Sequence, residues 1–464
     1  MSHLTQLNWS FLEIFYLIII FLVGFLVTFK ILPFLIKFMK KKDYIGYDIH
    51  KNAQPKVAES GGIVLVIGFT VASIFLMIFF PELFNETLIF LLTVISAGAI
   101  GFIDDRKKLK SRYKITLSIF CGSAIFFANF FGFIAISSPT IPFIDKTRLN
   151  FIYPLIIPVI VAVFINSVNM LEGYNGEGSG TCLIIVLFLF ICGLIWNSAE
   201  AVFFTIPVIA VLIPFFIYNK YPAKVFPGDV GTLSMGAMIA CIMFFGSLEV
   251  ATFCALLAHI FNSFYVINSV RGFFESSDIH KDKSDIILLK DDRIQASDKR
   301  DAALTLPRLI LAKGPLTEPE LVKNFYALST ICGFFSIISI IFLQVSIGNF
   351  EPIVFFVSII ICFVPTSFLL YKFPRIRGII VQMIILLVFI IIFLAIVDIL
   401  IMPLPFEDIG FGIIKIPVNL LISFLLVVPG LLIWYFLTIK YFWSVIEKMK
   451  KKNEKKQREK NEVL

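Results

Sequence analysis

The stretch 87-TLIFLLTVISAGAIGFIDDRKKLKSRYKITLSIFCGSAIFFANFFGFIAIS-137 decides the fold. It holds two apolar runs, each close to the roughly 20 residues that an α-helix needs to cross a bilayer. Between them lies 104-DDRKKLKSRYK-114, with two carboxylates and six Lys or Arg. Hydrocarbon leaves no water to satisfy a backbone, so the runs read as membrane helices and the charged strip as a loop at the membrane surface.

Working outward, the same alternation fills the chain. Thirteen candidate spans read at roughly 11–35, 61–80, 87–103, 115–137, 150–167, 180–196, 200–218, 231–247, 250–270, 325–347, 352–371, 378–402 and 419–440. The composition agrees, at 59% apolar and 16% charged with 54 Phe and a mean hydropathy of +0.94. A soluble domain carries about 25% charged residues. The expected fold is therefore all-α, a polytopic membrane helical bundle of about 13 spans. The first span lacks a small-residue cleavage site after it and reads as a retained anchor. The seven cysteines lie mostly within apolar runs and have no CxxC pair, so they read as small hydrophobes.

Alternate loops differ sharply in charge. One set (36–60, 104–114, 168–179, 219–230, 271–324, 372–377 and the tail counted from Lys440) carries 36 Lys and Arg, and the opposite set carries three, Lys146, Arg148 and Lys415. The positive-inside rule places the first set in the cytoplasm, with the N-terminus outside and the C-terminus inside. The chain divides into a membrane unit with cytoplasmic loops, 1–324, additional spans, 325–440, and a basic cytoplasmic tail, 441–464. The tail either continues the last helix or frays, and its charge suits anionic membrane lipid. No internal repeat is visible.

Four polar clusters stand at span ends on the basic side, where charged and amide groups are functional candidates. Asp104 and Asp105 follow the third span; they could bind a divalent cation or position a proton acceptor, or form a solvated pair neutralised by Arg106, Lys107 and Lys108. At a helix C-terminus their charge is disfavoured by the macrodipole, which suggests a cationic partner. The segment 166-NSVNMLEGYNGEGSGT-181 puts Asn166 and Asn169 on one helix face ahead of a Gly-rich turn containing Asn175. Such a turn lets backbone N–H groups approach phosphate. In 218-YNKYPAKVFPGDVGT-232, Asp229 is either an N-cap or a ligand, and Phe226 is an aromatic in a short polar loop. In 46-GYDIHKNAQPKVAESGGIV-64, Glu59 enters the second span, and Asp48, His50 and Lys51 precede it. With four His in the chain, no His-based metal site is expected. Oxygen ligands favour Mg²⁺, or Mn²⁺ in its place, over zinc. A divalent cation, lysines and a Gly-rich turn together suit a diphosphate, and an aromatic suits a base, so the residues point to a membrane enzyme acting on a nucleotide-activated substrate.

The order PKVAESGG, IDDRKKLKSRYK, NxxNxxxGxNG and YPxxVFPGD, over roughly 40–315, resembles the polyprenyl-phosphate N-acetylhexosamine-1-phosphate transferases. Within them it is most similar to the eukaryotic-type and archaeal UDP-GlcNAc:dolichyl-phosphate GlcNAc-1-phosphate transferases. The resemblance implies Asn169 and Asp229 as Mg²⁺ holders, and Asn175 and Phe226 as the uracil site with Glu59 beside it. It also implies Asn166 next to the metal, Asp104 and Asp105 as the acidic pair, Lys114 as a phosphate-gripping lysine, and Arg308 in 306-LPRLILAKGP-315 as the end of a sugar-recognition loop. The implied partners are a UDP-N-acetylhexosamine, a polyprenyl or dolichyl phosphate and membrane lipids, with no nucleic acid and room for a homodimer. The implied place is the cell membrane with the site facing the cytoplasm. Four departures stand out, one of them the spans after the long loop, about four where the family usually has one. Lys107 and Lys108 follow where a DDxxD form has a third acid, Glu172 and Glu177 replace small or apolar residues, and Ala303, Leu304 and Thr305 replace a basic cluster. A transporter would need an internal repeat and helices broken at mid-membrane. A non-catalytic homologue would fit the altered acid and sugar loop, but not the retained metal and uridine positions.

Overall fold

The computed structural model describes residues 10–142, 145–146, 152–271, 284–348, 351–401, 404, 409–411, 414–416 and 418–462. Arg148 and part of the charged loop after 271 lie outside them. The helices are α1 (Phe11–Lys41), α2 (Gly62–Phe79), α3 (Phe84–Arg106), α4 (Ser111–Phe130), α5 (Ile152–Leu171), α6 (Glu177–Trp196), α7 (Ala199–Asn219), α8 (Gly228–Gly246), α9 (Glu249–Ala255), α10 (Leu257–Val270), α11 (Leu306–Leu311), α12 (Glu318–Ser346), α13 (Pro352–Lys372), α14 (Arg377–Ile396) and α15 (Val418–Glu462). Two short antiparallel hairpins matter for the site: β1 (Ile45–Tyr47) pairs with β2 (Lys56–Ala58), and Ile286–Leu288 pairs with Ile294–Ala296.

Among the described residues, twelve helices are long and apolar enough to cross a membrane, and α9 with α10 pass the same test together but are bent by 64° at the break between them. The protein is a polytopic helical membrane protein. The expected straight span at 250–270 is thus replaced by a bent helix pair, the geometry of a broken span or a re-entrant loop. The basic tail continues α15 as helix to Glu462. The expected division at 324/325 falls inside α12, which starts at Glu318 with a capping box between Thr317 and Glu320.

Between helices in lipid there is little hydrophobic driving force, so close backbone approach does the packing. At the centre stands α8, 89% buried over its apolar window, whereas α13 is 6% buried and peripheral. Around α8 pack α2, α3 and α5. Gly62 and Gly101 make two of these crossings possible: a Cβ on Gly62 would stand 2.1 Å from Gly231 Cα, and one on Gly101 would stand 2.4 Å from the Asp229 carbonyl carbon. Both glycines lie beside the N-terminus of α8, and they set how closely the other helices approach it.

Candidate active site

Four helix ends, from three separate places in the sequence, meet at one end of this bundle. The last turn of α3 carries Asp104 and Asp105, and the first turn of α4 carries Lys114. The last turn of α5 carries Asn169, and the first turn of α8 carries Asp229. The chain around Phe226 is sewn to the segment after β2 by main-chain bonds: Phe226 N donates to Ala58 O at 2.8 Å, and Gly61 N donates to Phe226 O at 2.9 Å. Between them opens a cleft of about 400 Å³, lined by Glu59, Asp104, Asp105, Asn169, Phe226 and Asp229 among others.

Lys114 lies under the floor of this cleft, only 3% exposed. Its Nζ is 2.7 Å from Asp104 Oδ2 and 3.0 Å from Asp229 Oδ2. The other Asp104 oxygen accepts Leu109 N–H at 2.5 Å. Asn169 completes the group: with its amide nitrogen toward Asp229 Oδ1 at 2.9 Å and Thr232 Oγ1 at 2.6 Å, its oxygen accepts from Lys114 at 2.9 Å. Asp105 is engaged differently. Its Oδ1 accepts the backbone N–H of Asp229 at 2.7 Å, and its Oδ2 accepts the Ser60 hydroxyl at 2.7 Å.

The donor set fits a hard divalent cation. The Asp104 and Asp229 carboxylates converge on one ammonium, with an amide oxygen in reach and no sulfur or imidazole among them. A half turn of the Asn169 amide would turn its oxygen toward Asp229.

The opposite side of the cleft has a different character. The Phe226 ring lies against Gly46, where a Cβ would stand 3.1 Å from Phe226 Cδ2. Glu59 lines the cleft nearby, and its carboxyl is pushed above the usual range by burial and then by the Asp105 charge. Asn175 Nδ2 donates to Asp48 Oδ2 at 2.9 Å, and Asn175 N donates to Glu318 Oε1 at 2.8 Å. His50 stacks on Tyr174 with ring centroids 4.3 Å apart. Ligand atoms of Asp48, His50 and Glu318 lie within 4.8 Å of one another. The cation already there is Lys51, whose Nζ is 2.5 Å from Asp48 Oδ2 and 4.0 Å from Glu318 Oε2.

Glu172 and Glu177 fold the Asn-Gly turn between α5 and α6. Gly178 N–H donates to Glu172 Oε2 at 2.6 Å, while Gly173 and Tyr174 N–H donate to Glu177 Oε2 at 3.1 and 3.2 Å. Burial pushes the Glu172 carboxyl up to about 8 against the opposing Gly178 bond.

Of the residues singled out in the sequence, Glu59, Asp104, Asp105, Asn169, Asn175, Phe226 and Asp229 line the cleft. Lys114 supports it from below, and Lys108, from the same loop, is the lysine on its wall. Two others go elsewhere. The Asn166 amide donates to Ala162 O of its own helix at 2.7 Å. Arg308 is fully buried, and its guanidinium donates to four backbone carbonyls: Ser297 at 3.1 Å, Ala302 at 2.7 Å, Ala303 at 3.1 Å and Lys299 at 2.6 Å. A buried guanidinium needs such acceptors, so in this structure Arg308 shapes the 297–303 loop instead of facing the cleft. Lys299 and Arg300, on that loop, are exposed. Sequence reasoning passed over Ser60, Thr232 and Glu318; the Thr317-Glu320 capping pattern and Pro319 were the available signs that a helix starts at Glu318.

Comparison with known proteins gives a consistent set of similarities. A model of glycosyl transferase family 4 matches residues 87–247. The chain is 32% identical over 329 residues to a putative glycosyltransferase of Methanocaldococcus jannaschii, covering 68% of this chain and 96% of that one. It is 34% identical over 248 residues to a putative UDP-N-acetylglucosamine–dolichyl-phosphate N-acetylglucosaminephosphotransferase of Sulfolobus acidocaldarius, covering 52% and 74% of the two chains. It is also 28% identical over 248 residues to a phospho-N-acetylmuramoyl-pentapeptide-transferase of Streptococcus mutans, covering 48% and 70%.

Proposed function

The chain belongs to glycosyl transferase family 4 and is a phosphotransferase of the polyprenyl-phosphate sugar-1-phosphate class, and we propose that it moves GlcNAc-1-phosphate from UDP-GlcNAc to a dolichyl phosphate with release of UMP. The observation that carries the reading is that Asp104, Asn169 and Asp229, from three separate places in the chain, converge on one cleft wall around the Lys114 ammonium beneath them. Phe226 and Asn175 line the same cleft.

The acceptor phosphate oxygen attacks the β-phosphorus of the donor. The bond from that phosphorus to the bridging oxygen breaks, and UMP leaves with the electron pair. A phosphate monoester has its second pKa near about 6, so at neutral pH most acceptor is already the dianion and a strong general base is not required. Repulsion between two anions is the larger obstacle. Asp229 and Asn169 are the residues to hold Mg²⁺, with Asp104 beside them; a bound Mg²⁺ supplies charge neutralisation to the diphosphate. Lys108 on the cleft wall adds positive charge near the substrate. Lys114 spaces and neutralises the two carboxylates from below. The Phe226 ring offers a stacking face for the base.

The charge asymmetry of the loops supports a cytoplasmic cleft, because every cleft-lining segment belongs to the Lys- and Arg-rich set. A soluble nucleotide sugar then meets a lipid phosphate at the membrane surface. The test is UMP release by the purified protein from a panel of UDP-sugars with dolichyl and undecaprenyl phosphates. UDP-GlcNAc with dolichyl phosphate is expected to turn over fastest, and D229N to lose Mg²⁺-dependent turnover by a factor on the order of 10²–10³. Near-normal turnover in D229N would remove Asp229 from the metal site, and absence of UMP with every pair would overturn the reading.

A further inference from the structure

We infer that Asp48 and Glu318 are positioning residues that hold the Asn175 amide with its oxygen toward the cleft, and that this orientation makes the site select uracil over cytosine. The inference rests on the uridine donor proposed above and names what reads its base.

The geometry around Asn175 is one-sided. Its Nδ2 donates to Asp48 Oδ2 at 2.9 Å and lies 3.4 Å from Glu318 Oε2, so the two amide hydrogens face two carboxylates. Its backbone N–H donates to Glu318 Oε1 at 2.8 Å, which fixes the residue as well as the side chain. The Asp48 carboxylate, paired with Lys51, only accepts hydrogen bonds. The reversed amide would set an oxygen against Asp48 Oδ2, so chemistry decides the orientation. Asn175 lines the cleft, and among the described residues no donor is bonded to its Oδ1. An acceptor is therefore what its side chain has left to offer.

The two carboxylates are themselves anchored. Asp48 pairs with Lys51, whose Nζ also lies 4.4 Å from the centroid of the Tyr221 ring. Glu318 sits in the first turn of α12, where the helix N-terminus favours negative charge. Asp48 comes from the loop after β1 and Glu318 from a helix that follows the long cytoplasmic loop. They are 127 and 143 residues from Asn175.

An acceptor oxygen at this position suits N3–H of uracil. Cytosine presents a bare lone pair at N3, so an oxygen there repels it. A site built to bond a donor rejects an analogue that lacks it, because its own buried polar group is then left unpaired. Replacing both carboxylates by isosteric amides frees the Asn175 amide to turn over and present its hydrogens.

The test uses the full-length protein in detergent, with UMP release from UDP-GlcNAc as the rate and UMP against CMP as competing inhibitors. The wild type is expected to bind UMP far more tightly than CMP. In D48N/E318Q the KM for UDP-GlcNAc is expected to rise about tenfold and the UMP-to-CMP preference to fall about tenfold, with kcat within about threefold. D48N and E318Q alone are expected to give intermediate preferences, and they serve where the double variant does not fold. A merely structural role would lower activity without moving the preference. Unchanged preference in variants that still release UMP, or a wild type that does not discriminate UMP from CMP, would overturn this inference alone. A wild type that releases no UMP would overturn the donor reading and this inference with it.

Discussion

Asp105 Oδ1 accepts the backbone N–H of Asp229 at 2.7 Å, so a carboxylate at the end of α3 caps the start of α8 from 124 residues away. In sequence, a charge at the C-terminal end of its own helix looks unfavourable. In space it meets the N-terminus of another helix, whose first N–H groups lack intrahelical partners. The adjacent acid Asp104 instead pairs with Lys114 at 2.7 Å. The two neighbours thus have separate tasks, one aiming Asp229 and the other holding the cation beneath it.

That division predicts different responses at Asp105. Asp105→Ala leaves the Asp229 N–H and the Ser60 hydroxyl unpaired, which costs about 1–3 kcal/mol. It should lower the thermal midpoint in detergent and slow UMP release. Asp105→Asn keeps an acceptor oxygen for Asp229 and should retain much more activity. If Asp105 took a proton from the acceptor, Asn would be as damaging as Ala.

Lys114→Met should destabilise the protein by about 3 kcal/mol, because it strands two carboxylates at close quarters. Asp229 is 21% exposed and Asp104 5%, so solvent at Asp229 relieves part of the repulsion. A melt in detergent measures it. Added Mg²⁺ should recover part of the loss by supplying the missing positive charge, and a melt indifferent to Mg²⁺ would count against a metal site at these carboxylates.

Gly101→Ala should separate α3 from α8, since the new Cβ would stand 2.4 Å from Asp229 backbone atoms that cannot rotate away. Overpacking of this kind costs about 1–3 kcal/mol. The expected signature is a shift of the Mg²⁺ dependence of UMP release to higher concentration, because the displaced residue is Asp229. A variant with an unchanged Mg²⁺ titration would show that the crossing does not set the site.

Glu172 predicts a pH effect. Burial pushes its carboxyl up to about 8 in the fold, from an ordinary value of 4.5. Between these values the folded state keeps a proton that the unfolded chain has released. Stability therefore falls as pH rises through that window, and the contribution is fully present below it. Glu172→Gln removes this titration and should flatten the decline in the melting midpoint from about pH 5 to pH 8. The same slope in the variant as in wild type would assign the decline to other groups.

The sequence disclosed some features because they are local and periodic. Apolar runs of membrane-spanning length stood out, and so did the gathering of polar residues at the ends of those runs. The bend between Ala255 and Leu257 did not, because 249-EVATFCALLAHIF-261 contains neither Gly nor Pro to mark it. The start of α12 at Glu318 was also missed, because its first turn is polar and the apolar run begins later. Arg308 carried a motif position, yet its fourfold bonding to the 297–303 loop depends on how that loop folds around it.

By itself the amino-acid sequence determined the membrane architecture, the charged face and the residue types of the site: Asp, Asn, Lys, Gly and one aromatic. These follow from composition and spacing, which a bilayer reads directly through the cost of burying polar groups. Only the tertiary structure decided what each group contacts. It separated Asp104 from Asp105, put Lys114 beneath the carboxylates instead of on the wall, withdrew Asn166 and Arg308, and brought Glu318 to Asn175. Such pairings are contacts between distant segments, set by how closely α3 and α5 approach α8 and by how the hairpin, the turn and α12 meet over the cleft. No local pattern encodes those approaches.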